Sequence, residues 1–218
     1  MLEDEARAAV AALASAEAVV LAHRQDAGAV VELRVFGVSA GAVVSQVAGP
    51  ASRFELSLLR PAELLAELVA WCGLHERTPA PVEALTCSLR TFIGLLEAPA
   101  GADAGALLRA DGAGGHSGEA LARAAGTVRR LAEVTVLHRP GRQRVAGTTT
   151  GWIDAGDNGL WAVDAPTVAR SGDPGTYGEL ALEVRCVTLT PVTLPQLLVE
   201  IVSGLPPGLV DIVSDGQG

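Results

Sequence analysis

Apolar and polar side chains alternate most clearly over residues 29–36, where Val31, Leu33 and Val35 interleave with Glu32 and Arg34. A period of two sends alternate side chains to opposite faces, so this segment is expected to be a half-buried strand. Three more strands are expected over residues 17–24, 42–48 and 53–59. Residues 25–28 and 37–41 form the turns, and Gly49-Pro50 ends the third strand. The period lengthens on either side. Residues 3–16 predict an Ala-rich helix with acids in its first turn. Residues 62–74 predict another, with Leu64, Leu65, Leu68, Val69 and Cys72 on one face. Pro61 opens it at a position where a missing N–H costs nothing.

The middle of the chain breaks this rhythm. Thr78-Pro79-Ala80-Pro81 is rigid, residues 89–96 and 102–110 predict short helices, the first with Ser88 as N-cap, and residues 111–118 form a glycine-rich loop. The first pattern then restarts. A helix is expected over 118–132 with Ser117 as its cap, and strands over 133–139, 142–154, 160–169 and 179–189. Residues 171–178 form a loop before the last strand, and a closing helix over 194–205 is stopped by Gly204, Pro206 and Pro207. The helix-to-strand junctions at Ala16-Glu17 and Ala132-Glu133 match, each leading to a His-Arg pair. The run from Glu63 to Val69 matches the run from Gln196 to Val202. Together these predict a duplication. The expected fold is α+β: tandem helix–antiparallel-strands–helix halves with pseudo-twofold symmetry around a central antiparallel sheet. One domain would hold repeats 1–75 and 118–207, a helical and loop linker 76–117 and a tail 208–218. A four-strand meander has a greasy face and two edges, so the halves join edge to edge or stack face to face.

Composition removes whole classes of chemistry. The 218 residues carry 16 basic side chains, all Arg, against 25 acidic ones, for a net charge of −9. Without Lys there is no Schiff-base lysine and no P-loop lysine. The negative charge and 3% aromatic content argue against nucleic-acid binding. No apolar run approaches the roughly 18 residues of a membrane span, and the acidic start lacks the features of a secretory signal. Cys72, Cys87 and Cys186 are odd in number and widely spaced, which fits neither a disulfide framework nor a zinc site. A cytoplasmic protein with reduced thiols, no cofactor and no membrane insertion is expected.

Few motifs could carry catalysis. Gly37-Val38-Ser39-Ala40-Gly41 matches a nucleophile elbow, but a strand is expected after it where the elbow needs a helix. The glycines of 112–118 precede a helix without a strand leading in. Asp154–Gly159 reads as a hairpin turn and lacks the ligand pattern of a calcium loop. His23 and His138 sit at equivalent strand ends with no third ligand, and Arg123, Arg129 and Arg130 are expected along one helix. No nucleophile, base and orienting group converge, so no enzyme and no metal site are expected.

The tandem order, the run from Phe54 through Arg60-Pro61 to Leu68, and Gly151-Trp152-Ile153-Asp154 with Gly159-Leu160-Trp161 together resemble the EspG family. These are chaperones associated with type VII (ESX) secretion in actinobacteria. The resemblance implies a quasi-twofold α+β fold and a cytosolic, non-enzymatic role. That role is to bind a helical-hairpin secreted protein, a PE–PPE heterodimer in mycobacteria, and hold its apolar tip soluble before export. In the family, the loop between the first two strands and a C-terminal helical bundle contact the substrate. Here that loop carries Gln25, Asp26 and Gly28. It is short where the family often extends it, and the family's opening strand before the first helix is not matched, so another ESX client also fits. Trp152 and Trp161 join the candidate partner-binding residues, because three of the chain's four Trp and Tyr residues, these two and Tyr177, fall in the second β region. Two other functions fit the residues: a small hydrolase using Ser39, and a self-assembling module that closes its sheet edges as a homodimer.

Overall fold

The computed structural model describes residues 11, 14–26, 31–48, 54–98, 103–138, 146–164 and 186–214. Its strands are β1 (Ala18–Asp26), β2 (Glu32–Val38), β3 (Val43–Ala48), β4 (Phe54–Leu59), β5 (Leu85–Ser88), β6 (Arg130–His138), β7 (Ala146–Asp154), β8 (Leu160–Asp164) and β9 (Cys186–Val192). The described helices are α1 (Leu64–Cys72), α2 (Leu89–Glu97), α3 (Ala104–Ala110), α4 (Gly115–Ala125), α5 (Leu194–Ser203) and α6 (Pro207–Ser214). The strands form one antiparallel sheet in the order β4-β3-β2-β1-β6-β7-β8-β9-β5. The fold is α+β. Leaving out β5, the order reads the same outward from the β1–β6 neighbours, as edge-to-edge joining of two meanders requires.

Backbone contacts divide the chain into two compact units. The first holds residues 1–75, 132–150 and 194–218, and the second holds 76–131 and 151–193. In the first unit the β1–β2 and β2–β3 registers place Ala18, Val20, Ala22, Phe36, Val38, Val43 and Ser45 on one face, all buried. Helix α1 lies over that face with Leu64, Leu65, Leu68 and Cys72 buried. Each such aliphatic side chain contributes roughly 1.5–3 kcal/mol. Two arginines on the face tie the helix down. Arg34 reaches Ser45 Oγ at 2.7 Å and Glu67 at 3.0 Å. Arg24 donates to the Trp71 carbonyl and lies 4.8 Å above the Trp71 ring. Gly73, with φ 58°, ends the helix in the left-handed conformation that favours glycine.

In the second unit Cys87, Phe92, Leu95, Leu108, Leu121, Ile153, Trp161, Val187 and Leu189 make one buried cluster. Residues 76–117, expected as a linker, supply β5, α2, α3 and several of these core side chains. Ser88 caps α2 as expected, accepting from the Thr91 amide at 3.1 Å. Helix α4 differs from its expected span. It starts at Gly115 without a side-chain cap and ends at Ala125. Thr127 stops it by turning its Oγ1 to the carbonyls of Ala124 and Ala155 at 3.1 and 3.0 Å. Arg129 and Arg130 therefore lie outside the helix that holds Arg123. Residues 207–214, within or beside the expected tail, form α6. The expected helix 3–16 and loop 171–178 lie almost wholly outside the described residues.

Candidate docking surface

The candidate catalytic motif resolves into a turn. Ser39 lies between β2 and β3, its amide bonded to the Ala42 carbonyl at 2.9 Å and its Oγ donating to the same oxygen at 2.9 Å. A hydroxyl held this way, with a strand following, does not form a nucleophile elbow. The glycine run leads into α4, which starts at Gly115: a Cβ on Gly118 within the helix would stand 2.3 Å from the Ala113 carbonyl oxygen, while Gly112 in the loop has open space around it. The Asp154 turn is filled by protein. Its carboxylate accepts from the Gly156 amide at 2.8 Å and from Arg77 Nε and Nη2 at 3.3 and 3.4 Å. His23 lies 3.9 Å from the Glu133 carboxylate, while His138 Nδ1 is buried without a partner among the described residues. Among the described residues no three His, Cys, Asp or Glu side chains are grouped to hold a metal ion. The Cys87 thiol is pushed up to about 11, first by burial and then by Asp111 and Cys186, so it stays protonated at neutral pH.

The five candidate partner-binding residues separate. Trp152 and Trp161 are 0% and 1% exposed. The β7–β8 register pairs Ile153 with Trp161 and Trp152 with Ala162, so the two indoles point to opposite faces of the sheet. Trp161 donates to the Asn158 carbonyl at 3.0 Å, and Trp152 Nε1 has no partner among the described residues. Both rings are enclosed, because an aromatic–turn–aromatic hairpin is also a way to fill a core. Gln25 and Asp26 end β1, Gln25 exposed, and Gly28 lies outside the described residues.

Gln25 has apolar company. The last β1–β2 pair is Arg24 with Glu32, so Gln25 stands level with Val31. Val31 is 54% exposed and Leu33 42% exposed, on the face opposite α1. Val19, Leu21 and Val35, half-buried, continue that face along the hairpin. On that face His23 stands opposite Leu33 and lies 3.9 Å from the Glu133 carboxylate, so the apolar strip has an acidic flank at Glu133, while Arg24 and Glu32 pair at 2.6 Å on the α1 face. Sequence periodicity marked Val31 and Leu33 as apolar and inward, because α1 covers one face only and nothing local states which face that is.

No protein-family model matches the chain, and no curated protein sequence does. Solved structures do. One is the Mycobacterium tuberculosis type VII secretion system chaperone EspG5 in complex with a PE25–PPE41 dimer, at 15% identity and a TM-score of 0.60 over 94% of this chain and 79% of that one. At that identity the likeness is one of fold.

Proposed function

We propose that the protein is a non-enzymatic chaperone or adaptor that binds a helical-hairpin protein destined for type VII secretion and keeps its apolar tip from aggregating. The single observation that carries this reading is the exposed apolar strip at the end of the β1–β2 hairpin, beside Gln25 and Asp26, on a fold shared with a chaperone solved with a PE–PPE dimer. Neighbouring exposed apolar side chains at a hairpin end offer area that a partner can bury. An amphipathic helix end would lay its apolar side on Val31 and Leu33, and basic residues beside that side would meet Glu133. The chaperone acts in the cytoplasm, before export.

The test is co-expression with helical-hairpin secreted proteins from the same genome, followed by size-exclusion chromatography. A stable complex, with a client that precipitates when expressed alone, is the expected result. If every such client stays soluble by itself and none co-elutes, the chaperone reading fails.

A further inference from the structure

The two ends of the sheet are built differently, and only one looks ready to accept another strand. Strand β5 is four residues long, follows a Pro-rich segment, and has its Ser88 amide covered by the Asp111 carboxylate at 2.6 Å. Short strands and covered amides are ordinary protection for an edge. Strand β4 has neither device. It is six residues long, is the terminal strand among the described residues, and Glu55, Leu56, Ser57 and Leu58 are all exposed. Leu56 and Leu58 are 41% and 54% exposed.

The sequence of this edge is self-complementary. We infer that β4 pairs antiparallel with β4 of a second copy about a twofold axis at Ser57. A twofold axis perpendicular to a sheet keeps each side chain on its own face, so one residue must stand opposite itself. With Ser57 opposite Ser57, Leu56 faces Leu58 of the second copy twice over, and four leucines close together on one face. The serines meet on the other face, as Thr86 meets Thr188 within this chain at 3.1 Å. Charge does not oppose this register: Glu55 stands opposite Leu59 of the second copy and never opposite another Glu55. This inference is independent of the client reading, since Val31 and Leu33 lie on β2's side of the hairpin, two strands in from the edge.

Sedimentation of the full chain over rising concentration tests it. A monomer–dimer equilibrium is expected, and Ser57→Lys, which sets like charges face to face, should weaken it at least tenfold while far-UV circular dichroism stays native. Leu33→Glu should leave the constant unchanged. In a Cys186→Ser background, Ser57→Cys should form a disulfide-linked dimer on mild oxidation, since opposed Cα atoms about 4.5–5.5 Å apart suit the bond. Glu55→Cys should not. A chain that stays monomeric, a dimer indifferent to Ser57→Lys, or equal cross-linking at positions 55 and 57 would each overturn the inference.

Discussion

Two hairpins of similar length and opposite use lie in this molecule. The β7–β8 hairpin turns its large side chains inward. Trp152, Ile153, Leu160 and Trp161 are all buried, and Asp154 at its turn is held by Arg77. The β1–β2 hairpin buries Val20, Ala22 and Phe36 on one face and leaves Val31 and Leu33 in water on the other. The difference teaches that aromatic content does not locate the working surface. The hairpin richest in aromatics is a core element, and the plain aliphatic one is exposed. A strand hidden on both faces contributes stability. A strand hidden on one face and greasy on the other has apolar area left for a partner.

The comparison breaks if the buried hairpin proves dispensable. Trp161→Ala should therefore have the largest effect, about 3–5 kcal/mol of lost stability in urea unfolding. Removing the guanidinium beneath the turn comes next. Arg77→Ala leaves the 5%-exposed Asp154 carboxylate with the Gly156 amide as its only partner among the described residues and should cost about 1–3 kcal/mol by the same measurement. On the exposed hairpin the expectation reverses. Leu33→Glu should change stability by no more than about 0.5 kcal/mol, and a larger loss would mean the strip is covered.

Thiol chemistry sharpens the same contrast at smaller scale. Cys186 is exposed, whereas Cys72 and Cys87 are buried. A disulfide reagent near pH 8 should titrate one thiol in the native protein and three in denaturant. Because Cys87 is raised to about 11 from 9.0, its contribution to stability is full below 9.0 and drains away as the pH climbs toward 11. The smallest effect belongs to the surface. Hydrogen bonding to Arg60 holds the Glu63 carboxyl below its ordinary value, so its help to the entry of α1 is present above that value and lost as pH falls through the lowered one. Glu63→Gln should remove only that part of the acid limb of the unfolding curve.

Much of this fold was legible in the sequence because it is written locally. Strands β1 to β4 and helix α1 lie within a few residues of where alternation, turn residues and Pro61 place them. The four-residue β5 was not legible, since so short a segment has no period and its strand character comes from pairing with the distant β9, Leu85 with Leu189 through Ser88 with Cys186. The early end of α4 is a different case. Gly126 directly after Ala125 is a local stop signal that the expected span ran past, and the end is fixed by Thr127 reaching the carbonyl of Ala155. At the candidate surface, Gln25 and Asp26 were marked by the family resemblance and Val31 and Leu33 only as apolar positions. Which face of β2 meets water is decided by α1, through Arg34 and Glu67, and no spacing along the strand records it.

The central claim is that the apolar end of the β1–β2 hairpin receives the client. The most direct measurement is a set of binding isotherms for one helical-hairpin client against the native chain, Val31→Glu/Leu33→Glu and Trp161→Phe. The account predicts at least a tenfold loss of affinity for the double variant, with its thermal unfolding unchanged, and native affinity for Trp161→Phe. Native affinity in the double variant, or a loss confined to Trp161→Phe, would contradict it.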